Sequence, residues 1–60
     1  MDIFTAKSIG YALINEQTPT LSQRQEALAT IEAARIHTVD NTTGAAVLDT
    51  LIGVLRRSED

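Results

Sequence analysis

The stretch at residues 44–57, GAAVLDTLIGVLRR, is more apolar than one face of a surface helix requires. At about 100° per residue, Val54, Val47, Leu51, Leu55, Leu48 and Ile52 fall in that angular order on one arc of roughly 160°. A helix that meets a single neighbour needs a narrower stripe, so this one has to be covered from two directions. Its other side carries Asp49, Thr50, Arg56 and Arg57, interspersed with Ala45, Ala46 and Gly53, whose small size lets another backbone come close.

Covering that arc is difficult for a chain of 60 residues. A single domain of this size, spanning 1–60, buries only about 60% of the surface that its unfolded chain exposes. Small folds compensate with disulfides, a structural metal or self-association. With no cysteine and one histidine, His37, the first two routes are closed, and no metal or cofactor is expected. The expectation is therefore a helical homodimer, with Val47, Leu48, Leu51, Ile52 and Leu55 at the contact between chains.

Periodicity and punctuation predict an all-α, compact three-helix domain, with helices at about 2–15, 21–36 and 43–57. In the first, Ile9, Leu13, Ala6, Gly10, Ile3 and Ile14 share an arc of roughly 140°, and Asp2 stands near the positive end of the helix dipole. Pro19 separates the first helix from the second, because proline disfavours helical geometry in the residue before it. Thr18 or Thr20 then caps helix two, and Thr20 with Gln23 has the spacing of a capping box. Helix two is rich in alanine, and its larger apolar residues Leu21, Leu28 and Ile31 lie on one side with Ala27 and Ala34. The segment 37–41, HTVDN, reads as a connector, and Asp40, Asn41, Thr42 and Thr43 are four possible N-caps for helix three.

The net charge of −3 comes from scattered acids and bases. A protein that grips nucleic acid usually clusters Lys and Arg to displace counterions from phosphates, so nucleic acid is not the expected partner. No apolar run approaches the roughly 20 residues needed to cross a bilayer, and no basic leader precedes an apolar core, so a cytoplasmic protein without membrane contact is expected. His37, three residues before Asp40, has the residue types of a base and its orienting acid, but closeness in sequence does not supply triad geometry. Thr42, Thr43 and Gly44 would expose N–H groups to an anion, yet an ordinary N-cap requires the same residues. Asn41-Thr42-Thr43 matches a glycosylation sequon without a secretory signal to go with it. No catalytic residues are assigned, and the protein is expected not to be an enzyme.

The most suggestive surface feature is Phe4, Lys7 and Tyr11, at i, i+3 and i+7, which puts both aromatics of the chain on one helix edge. Aromatics bring large contact area at low entropic cost, and a lysine between them attracts an acidic partner. The expected function is a small protein–protein interaction module, a homodimeric regulator or inhibitor that binds another protein through Phe4, Lys7 and Tyr11. The alternative is a helical transcriptional regulator that binds DNA as a dimer, with Arg24, Arg35, Arg56 and Arg57 converging on phosphates. Against it, the third helix opens with Gly44, Ala45, Ala46 and Val47, where a recognition helix presents polar or basic side chains.

Overall fold

Side-chain caps fix where each helix begins. The computed structural model describes residues 1–59, with α1 at Ile3–Ile14, α2 at Leu21–Ile36 and α3 at Thr43–Arg57, and no strand among them. Asp2 caps α1, its carboxylate accepting from the Thr5 N–H at 3.3 Å. Thr20 caps α2 through a full capping box: its hydroxyl accepts from the Gln23 N–H at 3.1 Å, and the Gln23 side chain accepts from the Thr20 N–H at 2.9 Å. Thr42 is the N-cap of α3 among the four candidates, accepting from the Ala45 N–H at 3.1 Å. The three helices match the sequence expectation, with Asp2 and Asn15 serving as caps at the ends of α1.

The first connector turns at Glu16, which has a φ of 63°. The Glu16 N–H donates to the Leu13 carbonyl at 3.2 Å and the Gln17 N–H to the Ala12 carbonyl at 2.8 Å, which satisfies two free carbonyls of the helix end. In the second connector, Asn41 takes the other left-handed position, with a φ of 64°, which asparagine tolerates better than most residues.

The three helices enclose one core of Ala6, Ile9, Ala27, Leu28, Ile31, Leu48, Leu51 and Leu55, with Ile3, Leu13, Ala34, Val47 and Ile52 packed against it. Close approach of α1 to α3 depends on Gly10, where a Cβ would lie 2.8 Å from Cδ2 of Leu51. Small residues thus do in α1 and α2 what the long aliphatics do in α3.

This packing places most of the residues expected between chains inside one chain. Leu48, Leu51 and Leu55 are buried within one chain, so they are not available at its surface. Both α1 and α2 cover the arc of α3, and of the five residues expected between chains only Val47 and Ile52 stay partly accessible. The accessible surface of 3934 Å² is close to the roughly 3,800 Å² that scaling gives for a monomer of 6.5 kDa. The radius of gyration, 10.6 Å, likewise matches the value of about 10.4 Å for a compact 60-residue chain. Two other expectations also shift. Ile14 and Leu21, placed on the apolar faces of α1 and α2, are each about half exposed. No helix among the described residues is long and apolar enough to cross a membrane.

Candidate interaction surfaces

The inner face of α1 is committed to the core through Ala6, Ile9 and Gly10, which turns the edge with Phe4 and Tyr11 outward. Phe4 is 75% exposed and Tyr11 45%, with Lys7 partly buried between them in sequence. Tyr11 also lines a shallow apolar groove between α1 and α3, shared with Thr43, Ala46, Val47, Thr50 and Leu51. The three residues picked from sequence therefore lie on one helix edge, and Tyr11 joins that edge to α3. Lys7 takes part in none of the ion pairs among the described residues.

The arginines are differently placed. Arg35, near the end of α2, clamps the second connector against α3: its Nε donates to Asp49 and its Nη2 to Asp40, each at 2.8 Å, while Nη1 donates to the Thr38 carbonyl at 3.1 Å. These contacts, with Asp40 foremost and Asp49 next, push the Arg35 pKa above its ordinary value, so the guanidinium stays charged. Arg56 of α3 donates to Glu32 of α2, and Arg24 at the start of α2 donates to the Ser58 carbonyl beyond the end of α3. Three of the four arginines that a DNA contact would use are thus engaged within the chain.

A second groove, between α2 and α3, is lined by Glu32, Arg35, Ile36, Asp49, Ile52 and Arg56. Ile36 stands beside it 81% exposed, and Val39 in the connector is 74% exposed. Sequence reasoning missed this surface. The signal lay in the wheel of α2, where Ile36 falls about 140° round from Ile31 and so off the apolar stripe.

Among the described residues, no group of three or more His, Cys, Asp or Glu side chains is arranged to hold a metal ion. His37 is the exposed C-cap of α2, its N–H donating to the Ala34 carbonyl at 3.1 Å. Asp40, the acid that would orient it, is held by Arg35. Thr42 and Thr43 begin α3 as a plain cap, with the Thr42 hydroxyl donating to the Val39 carbonyl at 2.8 Å. No protein family, characterised protein or solved structure matches this chain.

Proposed function

We propose that this chain is a non-enzymatic protein–protein interaction module, a regulator or inhibitor that docks Phe4, Lys7 and Tyr11 of α1 onto another protein. The observation that supports this reading is Phe4, 75% exposed on a helix whose inner face is already filled. Full burial of a phenylalanine is worth roughly 1.5–3 kcal/mol, a gain this small core forgoes and a partner would recover. Tyr11 extends the contact towards the apolar groove on α3, and the Lys7 ammonium favours a partner with an acidic group facing α1. DNA binding is the weaker reading, since phosphates would have to compete with the carboxylates and carbonyl that hold Arg24, Arg35 and Arg56.

The test is affinity capture from the source organism, with wild type and the Phe4→Ala/Tyr11→Ala double variant as baits. A protein retained by the wild type and lost with the variant, while the helical circular dichroism stays the same, supports the reading. An identical captured set for both baits would overturn it. Salt-sensitive retention on duplex DNA would favour the alternative instead.

A further inference from the structure

α1 carries two stripes, and only one of them is used within the chain. Ala6, Ile9, Gly10 and Leu13 form the first, which packs into the core. The second, centred roughly 130° round the helix, is Phe4, Lys7, Tyr11 and Ile14, spaced by three, four and three residues. That alternation is the spacing with which one helix meets another along a seam. Phe4, Tyr11 and Ile14 are exposed, with Lys7 partly buried among them. From Phe4 to Ile14 the stripe runs about 15 Å, roughly three turns. Tyr11 joins it to the apolar groove lined by Thr43, Ala46, Val47 and Thr50, so a body lying on the stripe also meets α3.

Charge and backbone chemistry narrow the occupant. Lys7 is the sole charged residue of α1, it takes part in none of the ion pairs among the described residues, and no carboxylate lines the groove beside Tyr11. On a chain of net charge −3, Glu26, Glu32, Asp40 and Asp49 each hold a cation elsewhere. A carboxylate that meets the Lys7 ammonium therefore finds no acid of α1 or of the groove to repel it. An extended segment would need a sheet edge for its own N–H and C=O groups, and no strand lies among the described residues. A helix arrives with those groups already bonded to one another. We infer, resting on the α1 edge as the docking site, that the partner presents an amphipathic helix. Its apolar side chains, at three- and four-residue spacing, lie against Phe4, Tyr11 and Ile14, and an Asp or Glu stands opposite Lys7. Ile14 thereby joins the contact as a fourth residue.

Selection from a display library of fully randomised peptides of about 18 residues, long enough for roughly five helical turns, tests this with the wild type and Lys7→Glu as separate targets. Peptides that bind the wild type are expected to carry apolar residues at three- and four-residue spacing with Asp or Glu beside them, and to gain helical circular dichroism on binding. Their affinity should fall about 10-fold against Lys7→Glu and several-fold between about 0.05 and 0.5 M salt. The Lys7→Glu target should instead enrich Lys or Arg. Ile14→Ala should weaken binding about 5-fold or more, and Phe4→Ala/Tyr11→Ala should abolish it. Thermal melts of the variants separate lost binding from lost folding. Should Lys7→Glu fail to fold, Lys7→Gln, which removes the charge alone, is expected to lose the preference for acids. Binders that need Phe4 and Tyr11 but are extended, or are indifferent to Lys7, leave the docking edge standing and overturn the helix. A library without any binder that needs Phe4 and Tyr11 overturns both. A wild type that sediments as a dimer, dissociated by Phe4→Ala/Tyr11→Ala, makes the occupant a second copy and likewise overturns the inference.

Discussion

Gly10 and Gly53 are both helical glycines, and their surroundings give them opposite roles. At Gly10 an added methyl would press on buried Leu51, with Cδ2 at 2.8 Å and both Cβ and Cγ at 3.4 Å. Overpacking of about 1–3 kcal/mol then outweighs the gain of about 1 kcal/mol in helix propensity, so Gly10→Ala should lower the unfolding free energy in urea. At Gly53 the nearest atom is the mobile Nη1 of Arg57 at 3.3 Å, and Gly53→Ala should stabilise by about 0.5–1 kcal/mol in the same measurement. Glu16 is the converse case, a side chain where the backbone is left-handed, so Glu16→Gly should gain about 0.5–1 kcal/mol. Asp2 supplies a pH test. Hydrogen bonding from Thr5, its side chain first and its backbone N–H after it, holds the Asp2 carboxyl below its ordinary value of 3.8. A lowered folded-state pKa stabilises fully above that ordinary value, and the contribution disappears as pH falls through the lower one. The difference in Tm between wild type and Asp2→Ala should therefore be open at pH 7 and close as the solution is acidified below the carboxylate range.

At the scale of elements, the helix starts were legible because capping is local. Thr20 and Gln23 are three residues apart, and their reciprocal bonds need nothing from the rest of the fold. Thr20→Ala should cost about 1 kcal/mol, seen as a lower urea midpoint with an unchanged slope. The Arg35 clamp was not legible in the same way. Its partners lie at Thr38, Asp40 and Asp49, and they converge only once the connector has turned at Asn41 and α3 has docked. No sequence spacing links the Arg35 head to these partners, because their positions depend on the path of the loop. Ile14 and Leu21 were misjudged for a related reason. A wheel treats every turn of a helix alike, whereas these residues occupy the last position of α1 and the first of α2, where the exposed side chains show that packing has run out.

For the whole molecule, the breadth of the α3 arc demands two neighbours, and α1 and α2 both pack against it, where the wheel alone suggests a second chain for one of them. Small residues changed the outcome. Gly10, Ala6 and Ala27 bring α1 and α2 near enough for Leu48, Leu51 and Leu55 to be covered within one chain. Among the exposed large apolar side chains, Phe4 and Tyr11 lie on one edge of α1, while Ile36 and Val39 stand at the end of α2 and in the second connector. The helix edge of Phe4, Lys7 and Tyr11 was visible from spacing alone, whereas the α2/α3 groove required the two helices to be placed together. The core closes without Phe4, Tyr11 and Ile36, which are left exposed. Urea denaturation at about 1 µM protein, dilute enough to disfavour assembly, tests it most directly by comparing a Phe4→Ala/Tyr11→Ala/Ile36→Ala variant with Leu51→Ala. The expected loss is no more than about 1 kcal/mol for the surface variant and about 2–5 kcal/mol for Leu51→Ala. A surface variant as damaging as Leu51→Ala would contradict it, because Phe4, Tyr11 and Ile36 would then be part of the core.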